Sequence, residues 1–166
     1  MSSTKGKTLY FNEKSMDYVT FGKGKKPLLI IPGLGDGLAT VKRMAQMLAL
    51  AYREFATAYQ VYVFSRINEL PENYSTRDMA TDIAEAMKVL GLKTVAVLGI
   101  SQGGMIAQWL AADFPERVEK LILTVTTAKL NNLGRERITR WLELSQTGAY
   151  KELMLDIASH SYTPKS

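Results

Sequence analysis

Gly99, Ser101 and Gly103 form a G-x-S-x-G pattern in the middle of the chain. A serine hydroxyl attacks a carbonyl only when it stands clear of its surroundings and a base can take its proton. The flanking elements meet the first need. Thr94 to Leu98 is a β-branched and apolar run, which suits a strand buried on both faces. Met105, Ile106, Trp109 and Leu110 recur at helical spacing, so a helix is expected to begin just after the glycines. A strand that turns straight into a helix forces the serine between them into a strained conformation, with its Oγ standing off the sheet. The positions two before and two after must be small because the two backbones nearly touch. The pattern therefore reads as a nucleophile elbow with Ser101 as the nucleophile. The helix start behind it also offers unpaired N–H groups and a positive dipole end to a developing anion.

Composition bounds the partners. The 166 residues are one domain's worth of sequence, long enough for a substantial core. A formal charge of +5, from 21 basic and 16 acidic residues, is scattered apart from Lys23-Gly-Lys-Lys26 and Arg135-Glu-Arg137. Neither cluster forms a stripe interleaved with aromatics, so no nucleic-acid partner is expected. The absence of cysteine excludes disulfides, a thiol nucleophile and Cys-ligated metal. A single histidine, His160, excludes a multi-histidine metal centre, and no cofactor is expected. Met1-Ser-Ser-Thr-Lys-Gly-Lys7 lacks the apolar region of a signal peptide, and no apolar run approaches the ~20 residues of a spanning helix. The expectation is a cytoplasmic protein without a membrane partner.

Taken in order, Thr8–Phe11 and Met16–Phe21 read as an antiparallel hairpin at a sheet edge. Leu28–Ile31 reads as a buried strand, followed by the glycine-rich loop Pro32–Gly37 and a helix with Val41, Met44, Ala45 and Leu48 on its apolar face. Tyr59–Phe64 is the next strand, with a loop expected over Ser65–Asn73. Ser75-Thr-Arg-Asp78 is a capping box opening a helix that Gly91 stops. After the elbow and its helix, Leu121–Val125 reads as another buried strand. Strands alternating with helices predict a mostly parallel, doubly wound α/β sheet. Beyond Thr127 the pattern changes to two amphipathic helices, one around Ile138, Trp141 and Leu142 and one around Tyr150, Leu153 and Ile157, with Gly148 between them.

With the elbow in place, the chain resembles the first part of an α/β-hydrolase. The hairpin, the strand ending in Ile31-Pro-Gly-Leu-Gly35, the helix opening Tyr74-Ser-Thr-Arg-Asp-Met-Ala-Thr-Asp82 and the elbow Gly99-Ile-Ser-Gln-Gly-Gly104 carry this resemblance. The run Ala111 to Leu123 is similar to the stretch that follows the elbow helix in that family. The resemblance implies an oxyanion hole built from two backbone N–H groups. One is that of Gln102, after the nucleophile; the other is that of Leu34, after Pro32-Gly33. Pro32 and Ile100 stand where many members have histidine, but the donors are backbone groups and are untouched. Glycines at 33, 35 and 37 let the loop approach closely. The helices after Thr127 resemble the start of the cap that covers the pocket. This implies a hydrolase core over residues 1–127 and the start of a helical cap over 128–166. The sheet would then be incomplete at its C-terminal side.

In that family the order is serine, then Asp or Glu, then histidine. Leu121–Val125 runs into Thr126-Thr127, with no carboxylate to serve as the acid. Asp156 and His160 follow in order, but an i, i+4 pair on a solvated helix face commonly means a surface contact. The triad acid and histidine are expected outside this chain, which would make it a truncated hydrolase. The exposed edge at Leu121–Val125 would then be covered by self-association or by a complementary chain. The expected activity is serine hydrolysis of a small ester, lactone or related acyl substrate. One alternative is a non-catalytic hydrolase-fold fragment or interaction module. Another is a binder of an NADP-type dinucleotide, with Gly33-x-Gly35-x-Gly37 at the pyrophosphate and Ser65-Arg66 at the 2′-phosphate. That fingerprint needs its third glycine where Leu38 stands.

Overall fold

Strands β1 (Gly6–Phe11) and β2 (Lys14–Phe21) pair antiparallel through a two-residue turn in the computed structural model, which describes residues 4–37 and 40–161. Asn12 and Glu13 both have positive φ, 45° and 61°, as a turn must when its twist matches that of the strands it joins. This tight turn draws Lys14 and Ser15 into β2, where the sequence predicts loop. There follow β3 (Lys26–Ile31), α1 (Ala45–Ala51), β4 (Tyr59–Ile67), α2 (Thr76–Val89), β5 (Val95–Ile100), α3 (Gln102–Asp113) and β6 (Val118–Thr124). The sheet order is β1-β2-β4-β3-β5-β6. The β2–β4 pair is antiparallel, while β4–β3, β3–β5 and β5–β6 are parallel. This is a mostly parallel α/β sheet of the α/β-hydrolase type.

The side-chain alternation of the central strands divides the core. Leu28, Ile30, Val63 and Leu98 face Val41, Ala45 and Leu48 on one side of the sheet. Leu29, Ile31 and Val97 share the other side with Ile83 and Met87 of α2 and Ile106 and Leu110 of α3. Both faces of β3 and β5 are thus covered, which is why these strands read as nearly continuous apolar runs. The capping box forms as expected. Ser75 Oγ accepts from the Asp78 N–H at 3.2 Å, and the Asp78 carboxylate accepts from the Ser75 N–H at 3.0 Å. Gly91, past the end of α2, has φ 69°.

Three expectations are corrected. Ser65, Arg66 and Ile67 lie in β4 rather than in a loop, because the strand end keeps pairing with β2, Met16 opposite Ile67. The stretch after the glycine loop begins as a 3-10 turn, Val41–Met44, and becomes α-helical only at Ala45. Strand β6 is not buried: it pairs with β5 on one side, and Leu121, Ile122 and Leu123 are 39%, 45% and 40% exposed. An apolar run reports affinity for a core and cannot say how many neighbours the strand has.

The residues cluster into two units, Met1–Ala128 and Lys129–Ser166. The second contains α4 (Asn132–Gln146) and α5 (Tyr150–Ser161). Asn131 caps α4 by accepting from the Gly134 N–H at 2.8 Å, and Gly148 with φ 74° turns the chain between the helices. No described helix is long and apolar enough to cross a membrane. Residues 1–3, 38–39 and 162–166 lie outside the described residues.

Candidate active site

Ser101 stands between the last residue of β5 and the first of α3, with φ 53° and ψ −121°. A side-chain-bearing residue rarely adopts this conformation, which costs on the order of 1–3 kcal/mol and persists only where the surroundings enforce it. Those surroundings are identifiable. The Ser101 N–H donates to the Thr124 carbonyl at 3.0 Å. The Ser101 carbonyl accepts from the Thr126 hydroxyl at 2.7 Å and from the Gly104 N–H at 2.9 Å. Between the two threonines, Val125 itself has φ 45°, a marked outlier for a β-branched residue. The turn that leaves β6 therefore pins both backbone polar groups of Ser101. The sequence marks Thr126 only as a non-carboxylate; its positioning role has no local signal.

The glycines of the motif are demanded by space. A Cβ on Gly103 would lie 2.0 Å from the Ile31 carbonyl oxygen, and one on Gly99 2.7 Å from Gly104 Cα. One on Gly104 would lie 2.5 Å from Thr126 Cγ2. The end of β3, the end of β6 and the start of α3 all converge here. The helix begins directly at Gln102, so Gly103 and Gly104 sit inside its first turn rather than ahead of it.

The loop after β3 lies against this corner. A Cβ on Gly33 would be 3.2 Å from Ser101 Cβ and 3.7 Å from Ser101 Oγ. Leu34, 63% exposed, opens the 3-10 turn Leu34–Gly37. The structure thus brings the Gly33–Leu34 loop, Ser101 and Gln102 to one corner of the sheet. Gln102 is the first residue of α3, and the N–H groups of a helix's first turn have no partner within the helix. Close approach accounts for Gly33 but not for Gly35, whose Cβ would meet nothing within 4 Å.

Two residues expected in a loop hold the ends of this segment from β4. The Arg66 Nη2 donates to the Pro32 carbonyl and to Gln102 Oε1, both at 2.9 Å. The neighbouring Ser65 Oγ accepts from the Val41 N–H at 3.0 Å. Arg66 is only 6% exposed, so its guanidinium is turned onto the chain rather than offered to a phosphate. This placement removes the sequence ground for the dinucleotide reading; Leu38, where its third glycine is required, lies outside the described residues. An arginine two residues after the apolar run that ends at Phe64 is the available signal for this role.

Asp156 and His160 sit in the second unit. The Asp156 carboxylate accepts from Trp141 Nε1 at 2.7 Å and from Arg140 Nε at 3.2 Å, with Arg137 3.5 Å away. The Trp141 hydrogen bond is the main cause that holds its pKa below the usual 3.8, against a smaller opposing effect of desolvation. His160 Nδ1 lies 2.7 Å from the Asp156 backbone oxygen and 2.9 Å from Ser159 Oγ. These contacts belong to the α4–α5 pair itself. Among the described residues, no group of three or more His, Cys, Asp or Glu side chains could hold a metal ion.

Comparison with known proteins bears on this arrangement. A family model described as alpha/beta hydrolase fold matches residues 26–150. The 3-oxoadipate enol-lactonase 2 of Acinetobacter baylyi is 29% identical over 124 residues, covering 74% of this chain and 46% of the relative. Serine hydrolase BPHL of Mus musculus is 31% identical over 142 residues, covering 80% of this chain and 48% of the relative. The crystal structure of a hydrolase from Pseudomonas aeruginosa PA01 superposes with a TM-score of 0.64 at 26% identity, covering 87% of this chain and 56% of that one. The chain spans about half the length of these relatives. The match runs from the first residue of β3 to the first of α5 and takes in the whole serine corner, and the chain belongs to the alpha/beta hydrolase fold family.

Proposed function

We propose that this chain carries the nucleophile and oxyanion half of a serine hydrolase acting on a small ester, lactone or related acyl substrate. The observation that carries the reading is the backbone of Ser101, held at φ 53° by three hydrogen bonds with the Gly33 loop against its side chain. Strain of this kind, fixed by its surroundings, is what a presented nucleophile requires. The similarity to an enol-lactonase and to a serine hydrolase supports the same class of reaction.

In this reading the Ser101 Oγ bonds to the substrate carbonyl carbon and the C=O π pair moves onto oxygen. The Gln102 and Leu34 N–H groups receive that oxyanion. Losing one such donor typically costs about 3 kcal/mol of transition-state stabilisation. Collapse of the tetrahedral intermediate expels the alcohol or enol oxygen, which takes up the proton first removed from Ser101 Oγ, and water then cleaves the acyl-serine to a free acid and the restored Ser101 hydroxyl. The base that takes the Oγ proton, and the acid that orients it, are assigned to the half of the relatives' length that this chain does not span. Helices α4 and α5 are read as the start of the cap, which would set substrate size and exclude water.

One observation favours the non-catalytic alternative for this chain by itself: its single histidine is engaged by its own helix. Reaction with a fluorophosphonate probe, followed by peptide mapping, separates the readings. Phosphonylation at Ser101 that disappears in Ser101→Ala is expected once the segment that supplies the acid and base is present alongside this chain. A folded protein that carries that segment and still takes no label at Ser101 would overturn the hydrolase reading in favour of the alternative. Loss of label in His160→Ala would place the base on α5 rather than outside the chain.

A further inference from the structure

Arg66 is a buried cation on β4 that takes no part in the nucleophilic step. Its Nη2 carries two hydrogens, and the two acceptors at 2.9 Å come from the two segments that must supply the oxyanion donors. One acceptor is the carbonyl of Pro32, two residues before Leu34. The other is the side chain of Gln102, whose own N–H is the second donor. Ser65, next along the strand, receives the Val41 N–H and so fixes the far end of the same loop.

We propose that Arg66 is a positioning residue that sets the spacing of the Leu34 and Gln102 N–H groups by tying the Pro32 carbonyl and the Gln102 side chain to one guanidinium nitrogen. The proposal rests on the hydrolase reading above. The physical need is plain. An oxyanion hole works only if its donors are already aimed when charge develops, and one of them lies on a loop rich in glycine. A glycine loop held only by its own backbone would spread its conformations and lose that aim. A single cation bonded to both halves removes the relative freedom. Arginine suits the task because its planar fork keeps a fixed angle between the hydrogens it presents. A lysine ammonium on a flexible stem does not. Burial strengthens both bonds and keeps water from competing for the acceptors.

With the segment that supplies the acid and base present, the test compares wild type, Arg66→Met, Arg66→Lys, Gln102→Met and the Arg66→Met/Gln102→Met double variant for the rate of fluorophosphonate labelling at Ser101. A positioning role predicts that Arg66→Met slows the covalent step on the order of 10- to 100-fold, short of the 10²–10³ that deletion of a donor costs. The apparent affinity for the probe should stay within about threefold, since binding and transition-state effects separate. Arg66→Lys should recover only part of the rate. The double variant should be no slower than Arg66→Met, since both changes cut the same link. Labelling at the wild-type rate in Arg66→Met, or additive losses in the double variant, would overturn the proposal. Hydrogen–deuterium exchange supplies a readout independent of chemistry. Amides of residues 33–35 and 102–104 should exchange faster in Arg66→Met, while those of α2 stay as in wild type. Unchanged exchange at 33–35 and 102–104 would refute the clamp even with Ser101 labelling intact. Absence of label in wild type with the acid and base present would instead refute the hydrolase reading, and the catalytic half of this proposal with it.

Discussion

Two places in this molecule gather the makings of a serine site, and they do so in opposite ways. On α5, Ser159, His160 and Asp156 lie within hydrogen-bond reach of one another. All three residue types of a triad are present there, but the serine donates to its own helix at the Asp156 carbonyl. The Asp156 carboxylate is spent on Trp141 and Arg140. At the end of β5, Ser101 has neither acid nor base beside it in the sequence. Its backbone, however, is held where few side-chain-bearing residues go, with helix N–H groups behind it and a glycine loop in front. The difference teaches that a site is marked by what the backbone is forced to do. Residue types that collect along one helix face follow from a 3.6-residue period and need no further reason.

The largest effect expected from breaking this contrast is at Gly103. Replacing it with alanine puts a methyl group 2.0 Å from the Ile31 carbonyl oxygen, a contact that only backbone movement can relieve. Gly103→Ala should destabilise by about 3 kcal/mol or more, whereas Gly35→Ala, with open space around it, should stay within about 0.5 kcal/mol. Urea unfolding midpoints of the two variants measure the difference. Equal midpoints would mean that the corner is not packed as described.

Next comes the strain itself. Ser101→Gly should raise stability by about 1–2 kcal/mol while abolishing the label, because glycine reaches the same φ without the Cβ penalty. A lower melting temperature in Ser101→Gly would show that hydroxyl contacts outweigh the backbone cost. The same substitution at Ser159, in a regular helix, should destabilise.

Carboxylates sharpen the contrast at a smaller scale. Asp17 is 7% exposed, and burial pushes its pKa up. Hydroxyl donation from Thr8 at 2.6 Å and Thr40 at 2.8 Å, with Lys42 3.8 Å away, outweighs burial and holds it below 3.8. A lowered folded-state pKa contributes stability that is present above 3.8 and lost as pH falls through the folded value. The gap in unfolding midpoint between wild type and Asp17→Asn should therefore narrow below that pH. A gap that stays constant from neutral to acid would remove Asp17 from the acid response. The smallest effects belong to α5. Ser159→Ala should shift stability by no more than about 0.5 kcal/mol and leave labelling at Ser101 unchanged.

Much of this was legible in the chain. The apolar runs of β3 and β5, the capping box at Ser75 and the stops at Gly91 and Gly148 are local signals, and each forms where the sequence places it. The elbow is local too, because its spacing is set by contact between one strand and the next helix. What was not legible depends on partners distant in sequence. Arg66 reads as the start of a loop until β2 is known to pair along it, and its acceptors are 34 and 36 residues away. Thr126 matters only because β6 lies beside β5. Strand β6 reads as core from its apolar run alone, and as an edge only once the resemblance leaves the sheet incomplete, because apolarity is a property of residues whereas burial is a property of neighbours.

The conformation of Ser101 has a consequence for anyone improving the protein in the laboratory. On the proposed serine-hydrolase reading, heat resistance and nucleophilic capacity pull in opposite directions at this position, since the residue that relaxes the backbone is the one without a hydroxyl. A variant library ranked on survival at high temperature alone would enrich glycine at 101 and discard the proposed nucleophile unnoticed. Ranking on covalent capture first, and on temperature only among the survivors, keeps the load where it is useful.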